Sequence, residues 1–132
     1  MSENIILNAN IMVPNGPKIS FNRAITVDAY DKIDITIPSG ISDKQVELQP
    51  SELEGHVQFL LIFSDWYGED ISYKVNSETS KILLDEPHLL TGKGAVSILN
   101  LAPKKLLFSN TTSGPAAKDA KVQILVGRDA TP

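Results

Sequence analysis

From His56 to Tyr67 the chain reads His-Val-Gln-Phe-Leu-Leu-Ile-Phe-Ser-Asp-Trp-Tyr, its longest apolar run. Between Val57 and Phe63 only Gln58 is polar. A run this short, rich in Phe and Ile and closed by turn residues, predicts a strand buried on both faces. Strand alternation sets Val57, Phe59, Leu61 and Phe63 on one side and Gln58, Leu60, Ile62 and Ser64 on the other. The outer face of a two-layer sandwich is normally wet. Leu60 and Ile62 are therefore expected on an outer face that something must cover, either the segment 89–101 or a second subunit. That makes Leu60 and Ile62 the candidate interface residues.

The rest of the chain reads as short strands separated by turn signals. Ile5, Leu7, Ala9, Ile11 and Val13 recur with a period of two, and Pro14-Asn15-Gly16-Pro17 ends that strand, with Gly16 free to take positive φ. Ile19, Phe21, Ile25 and Val27 share the next apolar face. Arg23 interrupts it, as at a bulge, at an edge, or where an arginine stem packs and its head reaches water. Ile33, Ile35 and Ile37 mark the cleanest amphipathic strand, closed by Pro38-Ser39-Gly40. The apolar-x-apolar-Pro-x-Gly pattern of residues 11–16 recurs at 35–40, and is expected to mark two strands ending in the same kind of turn at one end of a sheet. A weaker strand around Val46 and Leu48 precedes a polar connection at 50–55, where one helical turn fits.

After the central run, Ile71, Tyr73 and Val75 alternate, residues 76–80 form a polar turn, and Ile82-Leu83-Leu84 returns, which predicts a hairpin. Ala95 to Leu101 fits a strand or a short helix equally well. Lys104 to Asn110 and Ala120 to Arg128 complete the set. About nine short strands with no long helix predict an all-β chain, an antiparallel two-layer β-sandwich spanning residues 1–132 as one domain. A closed β-barrel is the alternative.

Composition narrows the chemistry. With no cysteine among 132 residues, disulfide scaffolds, thiolate metal sites and cysteine nucleophiles are excluded. The net charge is −4, and the most basic cluster is Lys104-Lys105, too small to track a phosphate backbone, so no nucleic-acid partner is expected. No apolar run approaches the roughly 18 residues of a membrane span, so no membrane partner is expected either. Met-Ser-Glu-Asn has neither the basic start nor the apolar stretch of a secretory leader, and the expected location is the cytoplasm.

Candidate sites are few. The histidines are His56 and His88 only, with no Gly-x-Ser-x-Gly elbow, and both are expected to be structural or superficial, so no catalytic residue and no enzyme activity is predicted. Asp65, Glu69 and Asp70 could offer oxygens to calcium but lack the spacing of a calcium loop. A solvated acidic turn is expected, with no metal and no cofactor. Thr91-Gly92-Lys93-Gly94 lacks the upstream glycine of a phosphate loop and reads as a tight turn. Asn110-Thr111-Thr112 matches a glycosylation acceptor and reads as an ordinary polar turn. Trp66 and Tyr67, flanked by Asp65 and Glu69, form the one aromatic cluster that a sugar could stack upon. Capping of the core by Trp66 competes with that role.

The expected function is a non-catalytic structural or assembly module. It would act through self-association as a homo-oligomer, with a protein partner, or by packing into a larger, phage-like particle. The alternative is a carbohydrate-binding module using Asp65, Trp66, Tyr67 and Glu69.

Overall fold

The computed structural model describes residues 3–48 and 56–129. The polar connection expected at 50–55 and the tail at 130–132 lie outside them. Ten strands and one short helix are present: β1 (Glu3–Met12), β2 (Lys18–Val27), β3 (Ala29–Ile37), β4 (Lys44–Glu47), β5 (Val57–Ser64), β6 (Ile71–Val75), β7 (Ile82–Leu83), β8 (His88–Thr91), α1 (Lys93–Leu99), β9 (Lys105–Asn110) and β10 (Ala120–Arg128).

Eight strands build two antiparallel four-stranded sheets in the orders β3-β10-β5-β8 and β4-β9-β6-β7. Apart from the β6–β7 hairpin, each successive strand crosses to the opposite sheet. That order is the double Greek key of a jelly roll. Neither sheet closes on itself, so the architecture is the sandwich and not the barrel. The core between the sheets is filled by Ile37, Val46, Leu60, Ile62, Ile71, Tyr73, Leu106, Phe108, Val122 and Ile124 and their neighbours. On β3 the alternating isoleucines lie opposite β10, with Ile33 facing Ile124, Ile35 facing Val122 and Ile37 facing Ala120.

The remaining two strands, β1 and β2, form a separate hairpin. Its tip is a turn in which Gly16 N donates to the Val13 carbonyl at 2.8 Å. Pro14 presets the second position, and Asn15, not Gly16, takes the positive φ, at 61°. The matching pattern at 35–40 does not mark the same end of one sheet. Its turn runs one residue later, from Pro38 to Ile41, and carries the chain from β3 into the opposite sheet.

Of the stretch 95–101, residues 95–99 are helical, as part of α1, and Asn100 is already extended. Gly92 enters it at φ 93°, and Val96 N and Asn100 N donate to the carbonyls four residues back. Val96 is buried and Leu99 packs on the core, while Ile98 points outward. Among the described residues no helix is long and apolar enough to cross a membrane.

Candidate functional site

The central strand corrects the expected interface. Leu60 and Ile62 are fully buried and belong to the inter-sheet core. The two faces of β5 are both apolar, so alternation alone carries no sign. The pairing of β5 with β10 slips between Gly127 and Arg128, which leaves Gln58 as an extra residue. Through that bulge Val57 joins Leu60 and Ile62 inside. Phe59 is buried too, but outside the inter-sheet cluster, beneath the base of the hairpin.

That base rests on Gly127. A Cβ at this position would lie 2.8 Å from Ile5 Cδ1 and 2.9 Å from Val27 Cγ1. Glycine therefore lets the hairpin seat directly on β10, beside Phe59. Val27 is buried, and Ile5, Leu7, Ala9 and Ile25 are half-buried. Every residue from Asn10 to Ala24 is exposed. Ten residues of strand extend about 33 Å, against a radius of gyration of about 13 Å for a body of some 100 residues. The hairpin is an arm.

The arm has two unlike faces. The register pairs Ala9 with Phe21 and Ile11 with Ile19, so these side chains share one face with Ile5, Leu7, Ile25 and Arg23. The opposite face carries the pairs Asn4–Thr26, Asn8–Asn22 and Asn10–Ser20, interspersed with Ile6–Ala24 and Met12–Lys18. Thr26 Oγ1 donates to Asn4 Oδ1 at 2.9 Å, and Ser20 Oγ donates to Asn10 Oδ1 at 2.7 Å. The apolar face was legible from the alternation of β1 and β2. What it lacks is anything beneath it, since Ile11, Val13, Ile19 and Phe21 are all more than two-fifths exposed.

A second apolar surface lies where the edge strands β7 and β8 meet. There the sandwich opens into a groove of about 260 Å³ lined by Tyr73, Ile82, His88, Leu90, Ile98 and Leu99. His88 and Leu90 face inward because they pair with Ile62 and Leu60. Tyr73 Oη and His88 Nδ1 are 2.7 Å apart, with the rings edge to face. Burial holds the Tyr73 phenol well above its usual range, so it keeps its proton. Burial also lowers the His88 pKa, opposed by the attraction of Asp85. Tyr73 and His88 therefore share one hydrogen bond whose direction follows the imidazole tautomer.

Of the other sequence candidates, Asp65, Trp66 and Tyr67 make contacts within the chain. Trp66 and Tyr67 both pack against the core. Trp66 Nε1 donates to the Asp119 carbonyl at 2.9 Å, and Lys118 Nζ sits 4.4 Å from the ring centre, over one face. Tyr67 Oη accepts from Ser64 N at 3.1 Å, and Asp65 Oδ1 accepts from Lys121 N at 2.9 Å. Trp66 and Asp65 tie the β5–β6 turn to the start of β10, Tyr67 ties it to the end of β5, and Glu69 stands exposed nearby. His56 and His88 sit toward opposite ends of β5, about 20 Å apart by strand rise. Among the described residues no three acidic or histidine side chains gather as a metal site.

Asn110 is a residue whose role the sequence concealed. It is fully buried at the end of β9. Its Nδ2 donates to the carbonyls of Ile37 and Lys118 at 3.0 and 2.8 Å. Its Oδ1 accepts from Thr112 N and Oγ1 at 3.1 and 2.7 Å. All four hydrogen-bonding positions of the amide are filled, so this side chain is a clasp and not a surface acceptor.

The fold and surface together define a jelly-roll body carrying a β-hairpin arm. Comparison with family models, with curated proteins and with solved structures returns no match.

Proposed function

We propose that this chain is a non-catalytic assembly module that joins copies of itself, alone or within a larger particle, through the β1–β2 arm. The observation that carries this reading is the unsupported distal half of the arm. A two-stranded hairpin is marginal in water unless its apolar face is covered. From Asn10 to Ala24 nothing among the described residues covers it. The jelly-roll body does not choose between functions, since the same architecture recurs in capsid, lectin and enzyme domains.

The surface area points the same way. The chain exposes 7839 Å². A compact monomer of 14.4 kDa is expected to expose about 6,800 Å². The surplus of about 1,000 Å² compares with the roughly 800 Å² that each partner contributes to a standard interface. Light scattering on a sizing column, across a hundredfold range of protein concentration, tests the reading. A mass that is a multiple of 14.4 kDa is the expected result, and a monomer at every concentration refutes it.

A further inference from the structure

We propose that the arm of one copy lays its Ile11–Ile19–Phe21 face into the groove between β7, β8 and α1 of a second copy, so that the subunits join head to tail. This rests on the self-association reading and names its receiving site.

Three observations select the groove. First, side chains of core type reach the surface here. Ile98 is 84% exposed, and Leu83, Leu89 and Leu101 lie open around the margin. Ile82 and Leu90 continue the inter-sheet core outward to that margin. A ribbon with one apolar face is the shape that such a groove accepts.

Second, the charges match. The arm, residues 3–27, carries Lys18 and Arg23 against Glu3, which is +1. The segment 78–88 bordering the groove carries Glu78, Asp85 and Glu86 against Lys81, which is −2. Lys93, at the start of α1, is engaged by Asp129 at 3.8 Å. Arg23 shares the apolar face and stands two residues from Phe21, a span of about 7 Å. With Phe21 seated in the groove, Arg23 falls within reach of the Asp85–Glu86 rim.

Third, the competing arrangement is unfavourable. Two arms packed face to face would set Arg23 of each copy against an apolar surface whose one acid, Glu3, lies at the base of the ribbon, four residues along β1 from the Leu7–Arg23 pair. A head-to-tail joint uses different patches on its two sides. It therefore builds a ring where the rotation closes and a filament where it does not.

The absence of native cysteine makes disulfide trapping a clean test. Phe21 and Ile98 are both exposed, so Phe21→Cys and Ile98→Cys leave the body intact. The two single variants, their equimolar mixture and the double variant are oxidised and run without reductant. The expected result is a cross-linked dimer in the mixture, a ladder in the double variant, and little product from either single variant. Rapid dimerisation of Phe21→Cys alone would show arm meeting arm and overturn the groove as receiver while leaving self-association standing. Oligomers in light scattering with no cross-link in any sample would overturn it equally. Monomers throughout would remove both the groove and the assembly reading beneath it.

Discussion

Replacing Ile19 and Phe21 together by threonine isolates what the arm contributes to association. Threonine keeps the β-branched preference for extended backbone while removing most of the apolar surface. Burying a whole Ile or Phe side chain is worth about 1.5–3 kcal/mol. Ile19 is 57% and Phe21 41% exposed, so together they leave about one side chain still to bury. Allowing for the methyl that each threonine retains, the pair should cost about 1–2 kcal/mol per arm seated. The dissociation constant should then rise about 5- to 30-fold. Sedimentation equilibrium of the variant beside the unmodified protein reads this directly. Thermal unfolding of the dissociated chain provides the control. The two side chains touch little within their own subunit, so its stability should move by no more than about 0.5 kcal/mol. A change in association below twofold would refute the reasoning. So would a drop of more than about 5 °C in the melting temperature of the dissociated chain, because the side chains would then be packing internally.

Other parts of the molecule respond differently. Asn110→Ala removes four buried hydrogen bonds at about 1 kcal/mol each, or about 4 kcal/mol. At about 2.1 cal/mol/K per residue over 132 residues, the melting temperature should fall by about 14 °C in calorimetry. Gly127→Val pushes a branched side chain into Ile5 and Val27. It should cost about 1–3 kcal/mol and speed tryptic cleavage after Lys18 and Arg23 as the arm loses its seat. His88 has a folded pKa below its unfolded value, so its neutral form is favoured in the native state. Its contribution is whole above the unfolded value and is lost as pH falls through the folded one. Stability should therefore decline as pH falls below the unfolded value of about 6.5, and His88→Gln should flatten that slope in a melting series. Trp66, the single tryptophan, is hydrogen-bonded at Nε1 and shielded on one face by Lys118. Its fluorescence should stay constant across a panel of glycan polymers.

What was legible in the sequence was periodicity, and what was not was what lies beneath each face. The alternation of Ile11, Ile19 and Phe21 identified one apolar face on each of β1 and β2. The same alternation in Ile33, Ile35 and Ile37 covers a core, while in the arm it covers nothing, and no local feature separates the two cases. Leu60 and Ile62 were misplaced because β5 is apolar on both sides and because the bulge at Gln58 reverses the parity of Val57. The short helix α1 escaped assignment because Val96 and Leu99, spaced by three, coexist with Val96, Ile98 and the following residues spaced by two. The groove was invisible for another reason. Tyr73, Ile82, His88 and Ile98 come from four elements, and only the crossing of the chain between sheets assembles them. Asn110 looked like a turn residue because an asparagine before two threonines usually is one. Its burial follows from the return of residues 112–118 over it.

The seat of the arm on Gly127 bears on the order in which the molecule can be made. β3 has a single sheet neighbour, and that neighbour is β10, the last strand in the chain. The base of the arm meets β10 as well. β1, β2 and β3 thus have no fixed place until β10, far along the chain from them, has been synthesised and folded. Pairing between such distant segments is slow to form, and until it forms the arm has no direction in which to reach. If the arm joins copies as proposed, a subunit would gain its neighbour only after its own body is closed, and half-made chains would stay out of the joint.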